Sequence, residues 1–141
     1  MKAFSVTAPI RATPEVVWAI LTDAPRWMEW NSTIAKIDGS ITPGGSVTIQ
    51  VKANPGRAFP LSVSEFAPPR RLVFSGGMPL GLFKGVRTFT LTPKGNGVTE
   101  FAMREDYSGL LAGLITKSIP DLQPAFHEFA ECLTRKAEGN A

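Results

Sequence analysis

The sequence predicts an α+β fold: a curved antiparallel sheet of six or seven strands wrapped around a long C-terminal helix, with two short helices after the first strand. Three observations predict it. A period-two run at the N-terminus leads directly into helix-start chemistry. The middle of the chain is a series of short β-type runs parted by glycine and proline. The last third returns to helical spacing, with one apolar stripe.

The first strand is "AFSVTAPI", where Phe4, Val6 and Ala8 alternate with Ser5 and Thr7. In "TPEVVWAILTD", Thr13 suits a helix cap, Pro14 the first helical position and Glu15 the first turn. Val17, Ile20, Leu21 and Ala24 recur at helical spacing, and Pro25 is expected to end the helix. "PRWMEWN" reads as a second, short helix.

Six β-type runs follow: "STIAKIDGSI", "GSVTIQVKAN", "FPLSVSEFA", "RLVFSGG", "GVRTFTLT" and "VTEFAMREDY". Their connections are too short for parallel crossovers, so sequential antiparallel hairpins are expected. In the closing segment Leu111, Ile115, Ile119, Leu122, Phe126, Phe129 and Leu133 form one stripe, which Pro120 and Pro124 should bend or split. A sheet of this size twists and curls. A helix laid across its concave face leaves a cavity between them.

The totals are those of one domain spanning residues 1–141, with 43% hydrophobic and 19% charged residues. The single cysteine excludes an intramolecular disulfide. The first residues hold no continuous apolar segment, so a cytoplasmic location is expected. No run approaches the roughly 20 apolar residues of a membrane span. The charge of +3 comes from scattered basic residues, which argues against a nucleic-acid partner. Arg70 and Arg71 follow two prolines, as in a solvated turn.

The hairpin "GVRTFTLTPKGNGVTEFAMRED" carries the most information about function. A three-residue turn, Gly95-Asn96-Gly97, would set Lys94 opposite Val98. Leu91 then faces Phe101, Phe89 faces Met103 and Arg87 faces Glu105. A two-residue turn would bring Arg87 beside Arg104, a like-charge clash. The apolar face thus ends in two opposite charges, and Tyr107 shares it by alternation. Because lone buried charges are costly, Arg87 and Glu105 are expected to pair. They serve either as a polar anchor for a ligand's carboxylate, carbonyl or phenol, or as a structural pair at the cavity mouth.

Met78, Leu80, Leu82 and Phe83 lie on the glycine-rich "SGGMPLGLFKG" and would gate the cavity, fold onto the core or make an oligomer contact. Trp27 and Trp30 are candidates for flat cavity walls or for a plug between short helix and sheet. With Phe74, Phe89, Met103, Ile115, Ile119 and Phe126, these residues complete the expected cavity lining around Arg87, Glu105 and Tyr107. His127, the one histidine, lacks a visible orienting partner, and Cys132 lacks a base. One histidine and one cysteine cannot make a structural zinc set, so no metal and no cofactor are expected, and no catalytic residue is assigned.

The order of these segments, with "TPEVVWAILTD", "PRWMEWN", "PPRRLVF", "GVRTFTLTP" and "IPDLQPAF", resembles the helix-grip superfamily. That superfamily, also called SRPBCC, includes START domains, polyketide cyclase/dehydrase-like proteins and, more distantly, the Hsp90-activator group. The resemblance is strongest to the polyketide cyclase-like branch. It implies a hydrophobic cavity that binds a small hydrophobic or amphipathic molecule. The same resemblance leaves open a cyclase, aromatase or dehydratase acting on a polyketide-like or aromatic precursor, and an Hsp90-activator-like interaction module. A homodimer is compatible with the sequence, but no residue argues for it.

Overall fold

A computed structural model describes residues 3–52, 58–118 and 121–139. Strand β1 (Ala3–Ile10) leads into helix α1 (Pro14–Leu21), a 3₁₀ turn (Ala24–Arg26) and the single-turn helix α2 (Trp27–Trp30). Six strands follow: β2 (Ile34–Gly39), β3 (Ser46–Val51), β4 (Phe59–Ala67), β5 (Arg71–Met78), β6 (Phe83–Gly95) and β7 (Val98–Ser108). The chain closes with α3 (Ala112–Ile115), a 3₁₀ turn (Thr116–Ser118) and the amphipathic helix α4 (Gln123–Ala137).

All seven strands form one antiparallel sheet in the order β1-β7-β6-β5-β4-β3-β2. Consecutive strands from β2 to β7 are neighbours, as short hairpin connections require, and β1 joins the free edge of β7. The core lies between the concave face and the helices. Phe4, Val6, Leu72, Phe74, Phe89, Leu91, Phe101 and Met103 supply the sheet side, and Phe126, Phe129 and Leu133 the α4 side.

The first helix starts as its sequence dictates. Thr13 Oγ1 accepts from Val16 N at 3.3 Å, and Pro14 occupies the first turn. It ends at Leu21 rather than at Pro25. Thr22 closes it, with both its N–H and its hydroxyl on the Trp18 carbonyl at 3.0 and 2.8 Å. Pro25 instead is the second residue of the 3₁₀ turn. A carbonyl left over at this helix end, that of Leu21, accepts from Trp27 Nε1 at 3.0 Å.

The β6–β7 turn corrects the expected one. Gly95, not Lys94, pairs with Val98, so the turn is the two-residue Asn96-Gly97. Both residues have positive φ, 56° and 75°, as a type I′ turn demands. A bulge between Pro93 and Gly95 absorbs the extra residue, and Gly95 takes the left-handed conformation at φ 84°. Arg87 therefore still faces Glu105, and Phe89 still faces Met103.

The C-terminal helical segment is split rather than continuous. Asp121 and Leu122 are non-helical between the 3₁₀ turn and α4, and Pro124 sits in the first turn of α4, where its missing N–H costs nothing. Pro120 and Ile119 lie outside the described residues.

Candidate functional site

One row of side chains crosses four strands on the concave face. Phe74 on β5 pairs with Arg87 on β6, Arg87 with Glu105 on β7, and Glu105 with Phe4 on β1. Since side chains alternate along each strand, Met103 and Tyr107 flank Glu105 on the same face.

Arg87 and Glu105 form an ion pair, Nε to Oε1, at 2.7 Å. Their side chains keep only 18% and 16% of their exposure. The Tyr107 hydroxyl donates to the other carboxylate oxygen, Oε2. Glu105 is thus engaged at both oxygens. Phe126, on α4, covers the guanidinium, with Cζ 4.9 Å from its ring centroid. The terminal amino groups of Arg87 make no hydrogen bond among the described residues.

Gly85, opposite Tyr107 across the strands, leaves room for its ring: a Cβ there would lie 3.4 Å from Tyr107 Cε1. Phe83 stacks on the same ring with centroids 5.8 Å apart, and Phe4 meets it edge-on. So enclosed, the phenol is held well above its ordinary pKa. Burial is the main cause, followed by the charge of Glu105 and the hydrogen bond to it, with Arg87 pulling the other way. Tyr107 is a neutral donor.

These groups line a cavity of about 420 Å³ between sheet and helix. Of the residues expected from sequence, Phe74, Met78, Phe83, Arg87, Met103, Glu105, Tyr107, Ile115 and Phe126 line it. Four expected residues do not. Trp27 is spent on the Leu21 carbonyl and on packing against Trp30, Phe74 and Phe129. Trp30 packs on Trp27 and Phe129. Phe89 is sealed behind the cavity by Phe74, Phe101 and Phe129. Leu82 sits at the β5–β6 turn, where its carbonyl accepts from Leu111 N at 2.7 Å. The fifth, Ile119, lies outside the described residues.

The expected glycine-rich gate is mostly strand. Met78 pairs with Phe83, leaving Pro79 to Leu82 as the connection. The sequence reading also passed over part of the wall. Ile49 and Val51 on β3, and Phe59 and Leu61 on β4, line the cavity, as do Leu122, Ala125 and Phe129 beneath α4. Period-two alternation in "VTIQV" and "FPLSV" carries the signal for the strand residues.

His127 lies exposed on α4, 3.2 Å from Gln123 Nε2, which donates to the Ser5 carbonyl. Cys132 is buried, 3.2 Å from Ser32 Oγ. Neither lines the cavity. No cluster of three metal-ligating side chains occurs among the described residues, and none of their helices is long and apolar enough to cross a membrane.

The family model described as polyketide cyclase / dehydrase and lipid transport matches residues 1–138. The chain belongs to this family. Solved structures agree on the architecture. A hypothetical protein from Helicobacter pylori superposes with a TM-score of 0.78 at 15% identity, covering 96% of this chain and 88% of that one. A START superfamily protein from Mycobacterium smegmatis gives 0.74 at 17%, covering 99% of both. Norcoclaurine synthase from Thalictrum flavum, solved with dopamine and hydroxybenzaldehyde, gives 0.74 at 10%, covering 99% of this chain and 88% of that one. At such identities the likeness is one of fold, and the fold is the helix-grip α+β fold of the START/SRPBCC superfamily. No curated protein matches the chain.

Proposed function

We propose that this family member binds a small hydrophobic or amphipathic molecule in the cavity between the curved sheet and α4. The observation that carries the reading is the cavity itself. It has about 420 Å³ of space, within the range of small-molecule sites, and an apolar wall interrupted by one polar cluster. Within that cluster Glu105 is already satisfied by Arg87 and Tyr107, whereas the terminal amino groups of Arg87 have no hydrogen-bond partner among the described residues. The ligand's polar end is therefore a hydrogen-bond acceptor, and its body is apolar or aromatic.

A polarity-sensitive fluorophore tests this. It should bind saturably at one site, and Ala125→Phe, which places a ring under α4, should abolish the signal while leaving the thermal midpoint near wild type. Unchanged binding in that variant would sink the proposal.

A second reading is favoured by one observation. The chain Arg87–Glu105–Tyr107 places a cation, a carboxylate and a neutral phenol on one wall, suited to polarising a carbonyl. Norcoclaurine synthase, which shares the fold, was solved with two aromatic molecules bound. On this reading the protein is a cyclase, aromatase or dehydratase acting on a polyketide-like or aromatic precursor. Turnover that survives Arg87→Ala and Tyr107→Phe unchanged would remove it.

A further inference from the structure

The end of the molecule where β5 meets β6 breaks several rules of a soluble surface at once. Leu80 is 92% exposed, Leu110 84% and Leu114 69%. They belong to one surface, because Leu110 N and Leu111 N donate to the carbonyls of Gly81 and Leu82 at 3.1 and 2.7 Å. Leu114 follows one turn along, in α3. Scattered exposed leucines are ordinary, but three on two adjoining segments form a patch.

Leu80 also adopts a left-handed conformation, φ 61°, beside Gly81 at φ 70°. Asparagine and glycine suit the two central positions of the Pro79–Leu82 turn, and a bulky apolar residue does not. Local stability and solubility both argue against leucine here, so its advantage lies in what it contacts.

Charge indicates the partner. The segments 75–95 and 107–120 contain no aspartate or glutamate. Lys84 is exposed just beyond the turn, and Lys117 is exposed one turn after Leu114. Apolar side chains framed by lysines match the interface of an anionic lipid surface, where leucine enters the acyl boundary and lysine meets phosphate. Met78, Phe83 and Ile115 flank this tip and also line the cavity, so a docked tip would set the cavity against the lipid.

We infer that the tip formed by Pro79–Leu82 and Leu110–Lys117 docks peripherally on anionic membranes. Docking is independent of the ligand reading: it is measured with no ligand added, so either can fail while the other stands.

Co-sedimentation with vesicles of phosphatidylcholine, with and without phosphatidylglycerol, tests it. The protein should bind the mixed vesicles more tightly, and added salt should weaken the binding. Leu80→Asn should reduce affinity about tenfold, the loss of one buried leucine. Lys84→Gln and Lys117→Gln should each reduce it about fivefold. Because asparagine suits the left-handed position, Leu80→Asn should melt no lower than wild type, which separates lost docking from lost folding. No binding to either vesicle, or equal binding by Leu80→Asn and Leu114→Ser, would overturn the inference. So would a concentration-dependent dimer that Leu80→Asn dissolves, since that would assign the tip to a second copy of the chain.

Discussion

Glu105 and Arg87 stand opposite each other on β7 and β6 and meet at 2.7 Å on the concave face, with Tyr107 donating to the second carboxylate oxygen. The pair lies within an apolar wall, so each charge depends on the other. Glu105→Ala leaves a largely buried guanidinium unmatched and should cost about 3 kcal/mol, the low end for breaking a buried pair. Arg87→Met should cost a similar amount. Urea denaturation of both singles and the double variant should show a coupling of about 1–3 kcal/mol. Strictly additive losses would mean that the two residues act separately.

Tyr107 is the only tyrosine, so its titration can be followed directly by ultraviolet absorbance. Its folded pKa is raised above the ordinary 10.0 by burial first and by Glu105 second. The folded state therefore holds its proton more tightly than the unfolded state. This contribution to stability is fully present below pH 10 and falls as pH rises above it. Wild type should lose stability more steeply above that pH than Tyr107→Phe does. Parallel curves for the two proteins, or a tyrosinate signal appearing near the ordinary value in the native state, would contradict the enclosure of the phenol.

Phe129 joins α4 to the rest of the core. It is 2% exposed and its ring meets those of Trp27, Trp30, Phe89 and Phe101. Phe129→Ala should cost about 3–5 kcal/mol, the range for deleting a buried ring. The urea midpoint should drop. Loss of much less would show that α4 is held chiefly by other contacts.

The strand order, the curled sheet and the Arg87–Glu105 register were legible because alternation and turn chemistry are local signals. The turn itself was only half legible. Asn96-Gly97 favours two residues and the charge pattern favours the other register; the bulge before Gly95 reconciles them, and bulges leave little trace in sequence. The cavity wall was less legible for a different reason. Phe74 and Phe89 alternate onto the same concave face, yet only Phe74 lines the cavity, because the position of Phe129 above the sheet decides which ring is sealed. Trp27 was ambiguous until the Leu21 carbonyl gave its indole a structural partner. Ile49, Phe59 and Leu61 could have been named from alternation, since each occupies the inward phase of its strand.

The central claim is that the cavity beneath α4 holds a small molecule, and native mass spectrometry of freshly purified protein tests it most directly. A bound species, heavier than the chain by one small molecule and released on denaturation, is the predicted result, with Ala125→Phe giving the bare chain alone. Bare wild-type chain that also retains nothing after incubation with hydrophobic compounds carrying an acceptor group would contradict the account.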